Sequence, residues 1–313
     1  MRIFSVEKKK ITVWLLIIFT FGSCNILYSQ DKISLAGQWK LKLDQNDEGL
    51  EKKWYGNIMT EDHIILLPGS IQEYDFGHKL STETEWFATN YEKFFELEKY
   101  APYRTDGNFK FPYWLTSNTH FIGAAWYQRE ITIPQIWSGK RITFELERSH
   151  WGSMVFVDDQ YIDADSSLAT PHYYDLTEVL SPGTHTLTVR VDNRMLLNIG
   201  KNSHSISDHT QSNWNGLVGD LSLKASDPVY ISNVQIYPDV EAKEAKVQIH
   251  IANATGNQQP GTLNLQAISA NTDEKQVLPP VEKSFSVNES GVAEVYYSMG
   301  EDPLLWDEFN PAF

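Results

Sequence analysis

The sequence predicts an all-β protein, on three observations. After residue 100 almost no long apolar pattern recurs at the 3.6-residue period of a helix. Apolar and polar residues instead alternate with period two, in short runs. Gly, Pro, Asn and Asp, the residues that make tight turns, separate those runs. At 313 residues the chain is long enough for two domains, each with a core of its own.

Residues 1–30 stand apart from this pattern. "MRIFSVEKKK" supplies a basic segment and "ITVWLLIIFTF" an apolar one of signal-peptide length, too short to span a membrane. Export to the periplasm or the extracellular space is therefore expected, with no transmembrane span. The "LYSQ" run places processing after Gln30, whereas "FGSC" resembles a lipobox and would place a lipid anchor on Cys24. Cys24 is the single cysteine, so no disulfide or cysteine metal site is expected to stabilise the mature chain.

The first domain is expected over residues 31–226. In "AWYQREITIP", Tyr127, Ile131 and Ile133 share one face of a strand, Gln128, Glu130 and Thr132 share the other, and Pro134 ends the run. "RITFELER" sets Ile142, Phe144 and Leu146 against Thr143, Glu145 and Glu147. "GTHTLTVRVDN" sets Leu187, Val189 and Val191 against Thr186, Thr188 and Arg190. Such strands are half buried, as in a sandwich. Asp158 and Asp159 fall where a tight hairpin turn belongs, and Pro182 and Gly183 lead into the following strand. Trp126, Trp137 and Trp151 lie in or beside strands and read as core. Arg129 and Arg148 fall on otherwise apolar faces, where a guanidinium needs partners, so carboxylate pairs that pin the sandwich are expected.

Residues 50–120 are the least regular part, and a long irregular excursion from a sandwich is often functional. A covering for one sheet face is the alternative. Tyr113 and Trp114, in "KFPYWLTSN", have no periodicity around them and stand between an exposed aromatic platform and core. The second domain is expected over 227–313, after Asp227 and Pro228. There "AKVQIHIANA", "GTLNLQAISA" and "VAEVYYSM" read as short strands of a seven-strand immunoglobulin-like sandwich, truncated in its last strand.

Charge excludes some partners. The chain carries 26 Lys and Arg against 41 Asp and Glu, and removal of residues 1–30 leaves 22 against 40, a net charge of −18. A surface this acidic repels phosphate backbones, so no nucleic acid is expected. Ten Trp and fifteen Tyr suit amphipathic ligands such as sugars, although most of them belong in the core.

Four segments, in order, resemble one family. They are Leu35, Gly37 and Trp39 in the pattern "L.G.W", "YQREITIPQIWSGKRITFEL", "ATPHYYDLTEVLSPGTHTLTVRVDN" and "HSISDHTQSNWNGLVGDLSLKA". Together they are similar to the N-terminal sugar-binding region of glycoside hydrolase family 2, the β-galactosidase- and β-glucuronidase-like enzymes, and lean towards the β-galactosidase group. The resemblance covers about residues 33–313. It implies a galactose-binding-like jelly-roll β-sandwich followed by an immunoglobulin-like β-sandwich. In the family a "LW.p..P.lY.l" segment closes the second sandwich and leads into a (β/α)₈ barrel that carries two catalytic glutamates. "PLLWDEFNPAF", which includes Trp306 and Phe313, matches that segment and stops inside it. The implied function is therefore the non-catalytic N-terminal region of an exported retaining glycosidase, acting on a β-linked oligo- or polysaccharide with its own barrel as partner. A free-standing carbohydrate-binding protein and a purely structural sandwich are the alternatives.

Retaining hydrolysis needs two carboxyl groups about 5 Å apart. No pair here takes that role, and Asp158, Asp159, Asp302, Asp307 and Glu308 read as solvated carboxylates. The resemblance makes the loop "HSISDHTQSNWNGLVG" the candidate sugar contact. Asp208, Asn213 and Asn215 would pair hydroxyls and Trp214 would stack on a ring, against the alternative of an irregular turn. His204 and His209 match no metal-binding spacing, so neither metal nor cofactor is expected.

Overall fold

The computed structural model describes residues 31–60, 63–86, 96–105, 107–110, 115, 117–200, 203, 206, 213–269, 276–305 and 308–309. Residues 1–30 with Cys24, and also Tyr113, Trp114, His204, Asp208, His209, Trp306 and Phe313, lie outside them. The described chain is almost entirely β. Its first strands are β1 (Lys32–Ser34), β2 (Gly37–Asp44), β3 (His63–Leu67), β4 (Gly69–Ser70), β5 (His78–Lys79), β6 (Arg104–Thr105), β7 (Asn108–Phe109) and β8 (Thr119–His120). Longer strands follow as β9 (Ala124–Ile133), β10 (Arg141–His150), β11 (Gly152–Val157), β12 (Gln160–Asp165), β13 (His172–Asp175), β14 (Gly183–Asp192) and β15 (Gly216–Ser226). The last five are β16 (Val229–Asp239), β17 (Glu244–Asn253), β18 (Gln259–Leu265), β19 (Val281–Val287) and β20 (Ser290–Ser298).

Two antiparallel sheets enclose the first core. One runs β12-β11-β14-β9-β2-β3, and the other runs β1-β15-β10-β13 with β4 added to β15. Trp39, Leu41, Tyr127, Val155 and Val189 from the first sheet meet Phe144, Leu146, Tyr174, Leu221 and Leu223 from the second in one buried cluster. Each side chain of this size contributes about 1.5–3 kcal/mol when fully buried. The "L.G.W" residues start this layer. Gly37, at φ 117°, turns the chain into β2, and the Leu35 carbonyl accepts the Trp39 indole N–H at 2.9 Å.

The same carbonyl explains a correction. Arg129 does not meet a carboxylate: its Nη1 donates to the carbonyls of Leu35 and Ala36 at 2.6 and 3.3 Å, and the guanidinium lies 5.5 Å from the Trp39 ring centroid. Arg148 also departs from expectation, because a bulge between Leu146 and Arg148 turns it outward to solvent. The Asp158–Asp159 hairpin forms as read, with Asp158 at φ 54°. Its carboxylate accepts the Thr186 N–H at 2.8 Å and the His185 Nδ1–H at 2.9 Å.

Alternation along β9 holds at Glu130–Ile133 and fails at Ala124–Gln128, where both faces are buried. The cause is the excursion after β2. Trp54, Tyr55 and Met59 pack over the outward faces of Trp126 and Phe156. Gln128 remains satisfied there. Its amide donates to the Asn57 carbonyl and Thr188 Oγ1, both at 3.0 Å, and accepts from the Met59 N–H at 2.7 Å. Trp126 and Trp151 are fully buried and Trp137 nearly so.

The second core is smaller. The sheet β16-β17-β20 faces the pair β18-β19 across Val247, Ile249, Ile251, Leu263, Val287, Val295 and Tyr297. Five strands, β16–β20, form among the described residues of this region. Cross-strand register puts Ile231, Val234 and Ile236 on the inward face beside Ile251, Ile249 and Val247, yet all three are exposed. The β18-β19 pair packs over β17 and β20 and leaves this stripe of β16 uncovered. Leu305 and Phe309 are exposed as well.

Phe144→Ala should therefore lower the unfolding free energy by about 3–5 kcal/mol in urea titration. Ile236→Ala should cost less than about 1 kcal/mol. Equal losses would show that β16 is covered in solution.

Candidate functional site

At one end of the first sandwich β2 and β14 finish at Asp44 and Asp192, β9 starts at Ala124, and β10 and β15 meet at His150 and Gly216. Strand ends leave peptide groups without ladder partners, and side-chain amides take them up. Asn193 Nδ2 donates to the carbonyls of Phe121 at 2.8 Å and Trp214 at 3.1 Å, and its Oδ1 accepts the Gly123 N–H at 2.9 Å. Asn215 Nδ2 donates to the carbonyls of Val191 at 3.0 Å and Gly123 at 3.3 Å, and its Oδ1 accepts the Tyr127 hydroxyl at 2.9 Å. Asn213 Nδ2 donates to the Asn193 carbonyl at 3.1 Å. A Cβ on Gly216 would lie 2.5 Å from the Gly69 carbonyl oxygen, so only glycine fits where β4 crosses β15.

These contacts involve two of the sequence-predicted residues. Asn213 and Asn215 are buried, with their amides engaged by the protein itself. Trp214 is half buried and stacks on His150 at 4.3 Å between ring centroids, inclined 26°. Of the three, it alone presents a partly open side chain. Burial pulls the His150 pKa down to about 4, against a weaker opposing pull from Asn213. His150 is thus neutral at pH 7, and its Nε2–H donates to Asn213 Oδ1 at 2.9 Å.

An ion-pair cluster fixes the same end. Arg190 Nη2 reaches Asp47 at 2.6 Å and Asp192 at 2.9 Å, while Arg194 Nη2 reaches Asp47 at 2.8 Å. Burial raises the Asp192 pKa, but hydrogen bonds from Arg194 and the two guanidinium charges outweigh it and hold the carboxyl below its ordinary range. Asp44 accepts the Trp126 indole N–H at 2.9 Å and the N–H groups of Glu48 and Gly49 at 2.8 and 2.9 Å.

Beside this framework opens a cleft of about 620 Å³, lined by Gln45, His78, Lys79, Glu83, Glu85, Trp86, His120 and Ile122. The two-residue ladder β5–β8 sets His78 opposite His120, the Gln45 amide bonds His78, and Trp86 meets His120 edge to face at 4.9 Å. An indole face among amide, carboxylate, ammonium and imidazole groups can stack on a ring and pair its hydroxyls. The Phe121 and Gly123 backbone held by Asn193 and Asn215 flanks Ile122 of this cleft. A neighbouring cleft of about 820 Å³ holds Asp75, Asn108, Phe109, Lys110 and Asn118 and shares Lys79. Sequence reasoning marked residues 50–120 as an excursion but not these side chains, which carry no periodicity.

Because the folded pKa of His150 is depressed from 6.5 to about 4, its contribution is fully present above pH 6.5 and is lost as pH falls through 4. That loss should reach about 3 kcal/mol. His150→Gln should flatten the stability profile over this window, as read by chemical denaturation at stepped pH. An unchanged slope would overturn the assignment.

No family model matches the chain. In sequence it is 20% identical over 179 residues to the β-glucuronidase of Sus scrofa, an alignment that covers 53% of this chain and 22% of that protein. The Felis catus β-glucuronidase is 19% identical over 179 residues. In fold it resembles Bacteroides uniformis β-glucuronidase 2, with a TM-score of 0.57 at 18% identity, over 90% of this chain and 29% of that one. The β-glucuronidase from an uncultured Clostridium species gives 0.55 at 18% identity, over 90% of this chain and 41% of that one. The Ruminococcus gnavus enzyme gives 0.52 at 15% identity, over 90% and 40%. These relatives are β-glucuronidases, where the sequence reading leaned towards β-galactosidases. The chain is thus similar in sequence and in β-domain fold to the β-glucuronidases of glycoside hydrolase family 2, and it spans less than half the length of those it matches.

Proposed function

We propose that this chain supplies the non-catalytic β-sandwich region of an exported glycosidase of glycoside hydrolase family 2. Residues 31–226 form a jelly roll and 227–313 an immunoglobulin-like sandwich, and hydrolysis of the glycosidic bond belongs to a separate (β/α)₈ barrel. The observation that carries this reading is coverage: the fold likeness takes in 90% of this chain but at most 41% of the β-glucuronidase chains. The basic and apolar character of residues 1–30 supports export. No helix among the described residues is long and apolar enough to cross a membrane.

Three carboxylates of the loop-end framework are committed to the protein itself. Asp44 binds an indole and two backbone N–H groups, and Asp47 and Asp192 bind arginines. Two carboxyl groups about 5 Å apart across one sugar, one of them protonated, are what the reaction needs. Carbohydrate contact by this region falls instead to the cleft of Trp86, His120, Gln45 and Glu85, with Trp214, Asp208, Tyr113 and Trp114 as further candidates. A uronic sugar is the first ligand to try, since the Ruminococcus gnavus enzyme is known in complex with uronic isofagomine.

The purified protein should hydrolyse no aryl β-glucuronide or aryl β-galactoside above the uncatalysed rate. Turnover that survives rigorous removal of host glycosidases would overturn the non-catalytic reading. Calorimetry with glucuronic acid should show weak or no binding, because half a pocket lacks convergent polar groups. A micromolar dissociation constant that Trp86→Ala abolishes would favour a free-standing carbohydrate-binding protein.

A further inference from the structure

We propose that the outward face of the sheet β16-β17-β20 is a binding platform for a neutral polysaccharide. The site requires neither the cleft of Trp86 nor the hydrolase reading. Strand register lays out three rows across its centre, between the row of Asp239, Glu244 and Ser298 at one end and that of Tyr230, Ala252 and Ser290 at the other. Tyr237 lies opposite Lys246, and Lys246 opposite Tyr296. Gln235, Gln248 and Glu294 form the second row, and Asn233, His250 and Val292 the third. The residues between them on β17 and β20, Val247, Ile249, Ala293 and Val295, point the other way into the core.

The platform has the shape and the chemistry of a sugar subsite. Tyr237 and Tyr296 are 49% and 61% exposed. They stand two strands apart, about 10 Å, which matches the length of a disaccharide and lets two rings of one chain stack at once. The groups around them are held in place. The Tyr237 hydroxyl donates to Gln235 Oε1 at 2.8 Å, Gln248 Nε2 donates to Glu294 Oε1 at 2.5 Å, and Lys246 Nζ lies 3.0 Å from the same carboxylate. Among the described residues no hydrogen bond takes up Gln235 Nε2 or Gln248 Oε1, so a donor and an acceptor on this face remain for hydroxyl groups.

Charge selects the ligand. Lys246 and Glu294 cancel within the three central rows, and the row beyond the tyrosines adds the acidic Asp239 and Glu244, within a chain of net charge −15. A uronate polymer or a nucleic acid would find no net positive charge here and an acidic surface around it. A protein partner would bury Glu294 and both glutamines under the apolar centre of an interface, where charged groups are depleted. A neutral glycan brings hydroxyls for the amides and flat C–H faces for the tyrosines.

The test is native affinity electrophoresis of the purified protein through gels that contain galactomannan, xyloglucan or arabinoxylan, with polygalacturonate as the anionic comparison. At least one neutral polymer should retard the protein. Tyr237→Ala and Tyr296→Ala should each raise the dissociation constant at least about fivefold, and the double substitution should abolish retardation. Tyr173→Ala, which removes an exposed tyrosine of the first sandwich, should leave it unchanged. No retardation by any neutral polymer, retardation by polygalacturonate alone, retention in the double variant, or loss in Tyr173→Ala would each overturn the proposal. Should the double variant unfold at lower temperature, Gln248→Ala takes its place: weaker retardation supports the platform and unchanged retardation overturns it.

Discussion

The first sandwich depends on side-chain amides placed where its strands stop. A peptide group left unpaired out of water costs about 1–3 kcal/mol, and at this end several strands finish together. Asn193 and Asn215 cover the carbonyls of Phe121, Gly123, Val191 and Trp214, and Asn213 covers that of Asn193. The Tyr127 hydroxyl ties this layer to the core through Asn215. Everything beyond it inherits its position, including Ile122 on the cleft wall and Trp214 against His150.

The two sandwiches solve the problem of a second sheet face in different ways. In the first, the residues after β2 fold back across Trp126 and Phe156, and Asp44 fixes them by accepting the N–H groups of Glu48 and Gly49. Part of that sheet is then buried on both sides, and the open clefts lie among the loops at its end. In the second, nothing among the described residues covers β17 from outside, and it keeps strict alternation over its whole length. Its outward side chains remain available, and a site there is built on the sheet itself.

Local chemistry was legible in the sequence, and contact between distant segments was not. Period-two runs located β9, β10 and β14, and the turn residues Asp158 and Gly183 located the end of β11 and the start of β14, because those signals involve neighbours only. Arg129 was correctly seen to need partners, but the partners are carbonyls of Leu35 and Ala36, brought in by the strand pairing of β2 with β9. Asn213 and Asn215 have the chemistry of sugar ligands, and only the backbone they cross shows that their amides are already used. The His78–His120 pairing rests on a two-residue ladder between segments far apart in sequence, which no periodicity reports.

Charge connects these observations. An excess of acidic residues keeps the surface from anionic polymers and leaves hydroxyl-rich ligands as the chemistry its aromatic and amide groups can serve. Basic groups are therefore informative where they occur. Arg190 and Arg194 are drawn inward to neutralise Asp47 and Asp192, and Lys246 is matched by Glu294. Lys79 differs, since it lines both clefts of the irregular excursion beside acidic Asp75, Glu83 and Glu85. A cation that faces two open clefts can meet a ligand's carboxylate from either side, whereas the paired cations elsewhere are committed to the fold. Lys110 lines the larger of these clefts with it, so cations that hold the sandwich are distinct from those that face solvent-filled space.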